Sequence, residues 1–403
     1  MVPVPGRGGC PIVIRIAFPI IGGRGWTGGY NYLLNLLQVL QTQAADRVTP
    51  VVLFGPDSSP EDRAPFAALA GVEIVVDPAM EAGGKARRLI EALVTGLDSA
   101  AAKTFRAHRI DMVFEAAQYY GWRVPVPAVA WIPDFQHRYL PHLFSRSARL
   151  RRALGFNAQV WSGRRVMLSS EDARKDCERF HPASRGRTSV VRFAIPREAP
   201  VDAEAARSAA ARHGLPDHFF FMPNQFWTHK NHAVVIEALA RLRTEGRDIV
   251  VAASGNPVDP RDPAHFERLR ARAAELGVSD LFRPLGLIPY GDIALLMRAS
   301  SALINPSLFE GWSTTVEEAK ATGTPMILSD LGVHREQAPD RALFFDPGAP
   351  AELADRLRAF EPWPEAVRKE AAERAVVQSR IDAKAFAEAF LAMTDSVTHA
   401  PNR

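Results

Sequence analysis

The chain has 403 residues, more than one hydrophobic core ordinarily holds, so two domains are expected. Hydrophobic residues make up 47% and charged residues 23%, a globular balance, and no apolar run reaches the ~18 to 20 residues of a membrane span. Net charge is +4 with no nucleic-acid module signature, and Cys10 and Cys177 form no metal-spaced pair, so a reduced, cytoplasmic protein is the default.

In chain order, apolar runs at 12–18, 48–55, 72–77, 111–116, 128–134, 164–170 and 188–195 read as buried strands. Helical patterns separate them. Tyr30, Leu33, Leu34, Leu37 and Leu40, for example, fall on one apolar helix face. A helix is expected to open at Ser170 or Glu171, with Ser170 as its cap. Residues 196–217 are Ala- and Arg-rich and flanked by prolines, and read as linker plus helix. The alternation then restarts with runs at 218–224, 248–255, 280–286, 301–307, 324–330 and 342–347. Such alternation implies parallel sheets with crossover helices. The expected division is therefore an α/β domain over 1–195, a second over 196–382, and a helix in 383–403 that crosses back to the first.

The stretch "GGRGWTGG" at 22–29 spells a G-x-G-x-x-G between a strand and a helix. A dinucleotide site also needs an acid about 20 residues on, at the tip of the next strand. The next strand ends in Phe54 and Gly55, and Asp57 lies beyond a Gly-Pro break. Trp26 sets an indole where backbone would have to approach a pyrophosphate. A nicotinamide or flavin enzyme is therefore disfavoured. Free N–H groups at a helix start, here by Gly28 and Gly29, still suit an anion.

The second half holds the most specific motif. In "INPSLFEGWSTTVEEAKATGTPMILSD" (304–330), Glu310 and Glu318 are separated by seven residues. Glu310 follows a strand, so it lies at the carboxyl edge of a parallel sheet, where ligands of such folds bind. A helix then starts: Thr314 and Glu317 fit a capping box, and Ser313 can also cap. The N–H groups of Trp312 to Thr315 are expected to be free for a phosphate, and Glu318 to reach a ribose or sugar hydroxyl pair. Gly323 and Pro325 end the helix.

Here the chain resembles the retaining glycosyltransferases of family 4, which have the GT-B fold: two Rossmann-like domains facing each other across a deep cleft. "PSLFEGWSTTVEEAKATGTPMI" is close to their pattern "PSxxEGxxxxxxEAxAxGxPVI". The resemblance implies that Glu310 and Gly311 meet the transferred sugar and Glu318 the nucleotide ribose. "FFFMPNQFWTHKNHAVVIEALARL" (219–242) is similar to the family's phosphate-binding segment. Its lysine is Lys230, and Gln225 stands where many members carry an arginine. Residues 285–307 match the segment whose backbone meets the base, near Leu287 and Ile288. "WIPDFQH" (131–137) resembles a family His-Asp segment, with Pro133 in place of the His, Asp134 keeping the acid, and His137 the nearest imidazole for a sugar or acceptor.

The resemblance implies transfer of a sugar from a nucleotide diphosphate sugar to a hydroxyl acceptor, in glycan, polysaccharide or glycolipid biosynthesis. Glu310, Asp134 and Lys230 are the catalytic candidates. Gly28, Gly29, Gln225, Ile288, Gly311, Trp312, Ser313, Thr314 and Glu318 are the donor-binding ones. There is no Asp-x-Asp, so no metal and no cofactor is expected, and helix dipoles plus lysine would take the metal's place. The arginines of 146–165 read either as a solvated face or as a peripheral contact with a membrane or a lipid-linked acceptor. Rival readings are a nucleotide-sugar 2-epimerase and an inactive scaffold of the same fold.

Overall fold

The computed structural model describes residues 13–20, 27–116, 118–338 and 342–398. Gly23, Gly25 and Trp26 of the glycine stretch, and Cys10, lie outside the described residues.

Two wholly parallel sheets account for the alternation. The first has seven strands: β1 (Ile14–Pro19), β2 (Val48–Phe54), β3 (Glu73–Val76), β4 (Met112–Ala116), β5 (Ala128–Trp131), β6 (Arg165–Leu168) and β7 (Thr188–Val190). Their spatial order is β3-β2-β1-β4-β5-β6-β7. The second has six: β8 (Phe220–Met222), β9 (Val251–Ser254), β10 (Phe282–Gly286), β11 (Leu303–Asn305), β12 (Met326–Ser329) and β13 (Ala342–Phe345), in the order β10-β9-β8-β11-β12-β13. Strands buried on both faces need apolar residues throughout, which is why the central β4, β5, β9 and β12 read as largely apolar runs, while the edge strands β3, β7, β10 and β13 are partly exposed. In each sheet the order reverses beside its first strand, at β1/β4 and at β8/β11. The loops leaving those strand ends diverge and open a crevice.

The helix Thr27–Gln43 lays Leu33, Leu36, Leu37 and Leu40 on the first sheet. The last helix runs over Glu365–Thr398, well beyond the expected 383–397. Its 34 residues span about 50 Å, enough to serve both halves. Near its start it packs on the second half. Gly323 adopts φ 71°, and a Cβ there would stand 2.6 Å from the Ala371 carbonyl oxygen, so only glycine fits. Further on, Phe386, Phe390 and Met393 enter the first core, where Phe390 stacks on Phe18 at 6.2 Å.

The strand expected at 188–195 stops at Val190. Residues beyond it are committed elsewhere: Phe193 gives its carbonyl to the Trp312 indole N–H at 3.2 Å, and Arg192 pairs with Glu336 at 2.7 Å. Both partners belong to the second half. No helix among the described residues is long and apolar enough to cross a membrane.

Candidate functional site

At the β8/β11 reversal point, polar groups crowd together. Asn305, the last residue of β11, is fully buried, so its amide must be satisfied inside the protein. Its Oδ1 accepts from the Ser307 hydroxyl at 2.7 Å and from Asn224 at 3.3 Å. Its Nδ2 donates to Ser313 Oγ at 2.8 Å and to Thr315 Oγ1 at 3.1 Å. Asn305 thus ties the β8 loop, the β11 loop and the following helix into one unit.

On this frame sit the two charged candidates. The Lys230 ammonium donates to Glu310 Oε1 at 2.6 Å, and the Ser307 hydroxyl lies 2.6 Å from the same oxygen, its one proton shared between Glu310 and Asn305. Lys230 ends the short turn Thr228–Lys230, after which Asn231 takes φ 57°. That left-handed residue is held by its own amide, which donates to the carbonyls of Pro306 and Pro347. The strain is therefore offset locally, and the loop presents its lysine in a fixed place.

The helix that follows runs over Thr314–Thr322. The expectation of free N–H groups from Trp312 to Thr315 is corrected at Ser313. Its N–H donates to Gln337 Oε1 at 3.0 Å, and Gln337 Nε2 donates back to the Ser313 carbonyl. The capping box is corrected too. The Ser313 hydroxyl makes no cap bond, and Glu317 is buried against Gln337 and Lys320 instead of reaching back to the helix start. A side-chain amide from a distant helix outcompeted the local cap, because a buried N–H costs more unsatisfied than an exposed one. Thr314 remains half-exposed as the first helical residue, while the Trp312 ring is turned toward the first core.

One turn on, Glu318 accepts from the Tyr290 hydroxyl at 3.3 Å. Burial pushes its carboxyl up to about 7, opposed by the Tyr290 bond and by the Arg197 charge. Arg197 Nε is buried and makes no hydrogen bond. Neither Tyr290 nor Arg197 carries a motif that would have marked it in the sequence. Ile288 packs against the second core, and Leu287 is exposed. Gln225 is half-buried, and its Oε1 accepts from the Asn256 N–H at 2.6 Å, so it braces the β8 loop against the β9 loop. Gly28 and Gly29 fall in the first turn of Thr27–Gln43.

The two halves meet directly over this site. A Cβ on Gly311 would lie 2.1 Å from the Pro133 carbonyl oxygen. The Ser170 hydroxyl, which caps the helix Glu171–Phe180, also donates to the Gly311 carbonyl at 3.1 Å. Glu336 of the second half accepts from the Glu171 N–H at 2.9 Å, placing a carboxylate on that helix start. Tyr139 stacks on Phe309 at 5.3 Å.

Beside the contact lies a cavity of about 710 Å³, walled by both halves. Asp134, Gln136, Tyr119, Arg151, Arg152, Trp227, His229 and Arg261 are among its lining residues. Asp134 Oδ1 accepts from the Gln136 N–H at 2.9 Å, which holds the carboxylate at the end of β5. His137 is turned away. It is buried among Phe135, Phe144 and Phe156, its ring nitrogens make no hydrogen bond, and burial lowers it to about 4. It is not among the residues that line the cavity. Arg164, expected in a basic surface patch, is buried and bonded to Glu115 at 3.0 Å.

Residues 207–391 match the model of the family described as "Glycosyl transferases group 1". The chain is similar over 187 residues, at 29% identity, to a D-inositol 3-phosphate glycosyltransferase of Streptomyces bingchenggensis, covering 45% of this chain and 41% of that one. It is also 35% identical over 98 residues to an MMP alpha-(1->4)-mannosyltransferase of Mycolicibacterium hassiacum, 24% of this chain and 22% of that one. These matches span well under half the length of each relative. Across almost the whole length, the structure is similar to a glycosyltransferase from Rickettsia africae, with TM-score 0.72 at 15% identity over 97% of this chain and 100% of that one. It is similar also to HepE of Anabaena, solved with UDP and glucose, with TM-score 0.69 at 15% identity over 95% of this chain and 100% of that one. The chain has the GT-B fold.

Proposed function

We propose that the protein is a retaining glycosyltransferase of family 4, moving a sugar from a nucleotide diphosphate sugar to a hydroxyl acceptor in glycan or glycolipid synthesis. The observation that carries this is the Lys230–Glu310 pair at 2.6 Å, on the crevice of the half that matches the family model. The names of the relatives, and the UDP and glucose in the HepE structure, agree with it.

In this reading the diphosphate lies against Lys230 and the helix start at Thr314, with Gly28 and Gly29 facing it from the other half. A lysine and a helix N-terminus neutralise the charge that builds on the leaving phosphate. Glu318 and Tyr290 hold the ribose, and the backbone near Ile288 meets the base. The C1–O bond to the β-phosphate breaks, the acceptor oxygen bonds C1 on the same face, and its proton passes to the departing phosphate oxygen. Glu310 and Asp134 orient the oxocarbenium-like sugar between the halves. Helix dipoles and Lys230 carry the electrostatic load without a metal or cofactor. The arginines of the helix Arg146–Trp161 would face a lipid-linked acceptor or an anionic membrane surface.

Replacing Glu310 with Ala should cut transfer by about 10²–10³-fold, the loss typical of a group that stabilises a transition state. Release of nucleotide diphosphate from a panel of donors measures this, with a melting curve to show that the fold survives. Full activity in the variant would remove Glu310 from the mechanism.

A further inference from the structure

Within that reading the acceptor's chemistry is open, and the cavity at the domain contact speaks to it. Its walls include five cationic side chains, Lys85, Arg88, Arg151, Arg152 and Arg261, and three acids, Asp98, Asp134 and Asp259. Two of the cations are already matched: Arg88 lies 3.6 Å from Asp98, and Arg261 lies 3.1 Å from Asp259. Lys85, Arg151 and Arg152 make no ion pair among the described residues.

Arg152 is the telling one. It is half-buried on the helix Arg146–Trp161, and its guanidinium lies over the Phe144 ring at 5.0 Å. Arg261 lies over the same ring at 5.5 Å. Two like charges therefore share one aromatic platform, with a carboxylate for only one of them. An aromatic face offsets part of a cation's desolvation, but it cannot cancel the repulsion between two. Asp134 is the remaining acid, and its Oδ1 is committed to the Gln136 N–H.

We propose that this cavity binds the acceptor as a phosphate ester, the phosphate held by Arg152, Arg151 and Lys85. Guanidinium forks match phosphate oxygens in pairs, and the Lys85 ammonium, which lines the same cavity, adds a point charge. The body of the acceptor then lies along Tyr119 and Trp227, aromatic walls that suit a sugar ring or an apolar chain. Its free hydroxyl points toward Asp134 and His229, beside the Lys230 loop where the donor sits. This rests on the glycosyltransferase reading for the role of the ligand, but the phosphate preference of the cavity can be tested without it.

The test measures binding of phenyl phosphate and of neutral phenyl glucoside to the full chain by calorimetry, with UDP saturating so that the donor's phosphate site is filled. Phenyl phosphate should bind at least about tenfold tighter than phenyl glucoside. Its affinity should fall about tenfold in Arg152→Glu, fall again in exposed Arg151→Glu, and survive in Arg152→Lys. A second arm measures co-sedimentation with phosphatidylcholine vesicles, with and without phosphatidic acid. Arg152-dependent capture by the acidic vesicles assigns the phosphate to a lipid headgroup. Binding of phenyl phosphate without such capture assigns it to a soluble ester. Equal affinity for the two phenyl compounds, or affinity untouched in both Glu variants, overturns the proposal. A wild type that takes phenyl phosphate but no nucleotide diphosphate overturns the glycosyltransferase reading and leaves the phosphate site standing.

Discussion

The two halves share a topology and differ in what occupies the strand ends beside the reversal point. In the second half, β11 ends in Asn305 and the loop beyond it gathers Ser307, Glu310 and Lys230 in direct contact. In the first half, the carboxylate of β4, Glu115, is wholly buried and paired with Arg164, and it also accepts from the Tyr120 N–H. One carboxylate faces a crevice and the other locks a loop. The same fold thus carries a charged cluster at the strand ends of one half and a buried ion pair in the other, since what a fold does depends on the residues placed on it.

The sharpest way to break that contrast is Glu115→Ala. It strips the partner from a buried Arg164 and frees the 118–121 loop that walls the cavity. Urea or thermal unfolding should show a loss of about 3–5 kcal/mol. A loss under 1 kcal/mol would mean that the pair is not structural and that the contrast is false.

Gly311→Ala tests whether the halves need to touch as closely as they do. The new methyl would overlap the Pro133 carbonyl, so the contact must open or strain by about 1–3 kcal/mol. Small-angle scattering should report a larger radius of gyration and turnover should drop, with each half still folded. An unchanged radius and rate would show that the contact is dispensable.

The smallest effect belongs to Glu318. Burial pushes its carboxyl up to about 7, so the neutral form is favoured below that pH. The sign follows: burial of the charged form costs nothing at low pH and costs increasingly as pH rises from the ordinary carboxyl range through 7. Glu318→Gln should therefore stabilise the free protein at pH 8 by ~1 kcal/mol, allowing for the water that reaches this half-buried group, and do nothing at pH 4. If the ionised carboxylate holds a ribose, wild-type affinity for UDP should weaken below pH 7 more steeply than that of the Gln variant. Parallel pH profiles for the two would exclude Glu318 from the ribose contact.

All thirteen strands overlap the expected runs, and the signal is clearest in the central strands, because a strand buried on both faces needs a largely apolar stretch. The segment after Val190 is the exception, although the Val191 N–H still donates to the Leu168 carbonyl of β6. Phe193 and Ala194 are as apolar and as buried as any strand, yet the Phe193 carbonyl accepts from Trp312 of the second half instead of pairing in the sheet. Hydrophobic pattern reports burial and not which backbone partner is found. Ser313 and Glu317 show the same limit at the site, where a local cap signal gave way to Gln337, 24 residues away from Ser313.

What the sequence determined by itself was the alternation of elements and the polar residues at the carboxyl edge of the second sheet. Both are encoded locally, in apolar periodicity and in residue type next to a strand end. What only the tertiary structure decided was pairing across distance. Lys230 meets Glu310 across 80 residues, and Glu336 meets the start of the helix at Glu171 across 165. The burial of Arg164 and His137, the exposed setting of Arg151 and the shared platform under Arg152 and Arg261 belong to the same class. Charge, burial and partner there depend on which helices pack side by side, and no window of sequence contains that information.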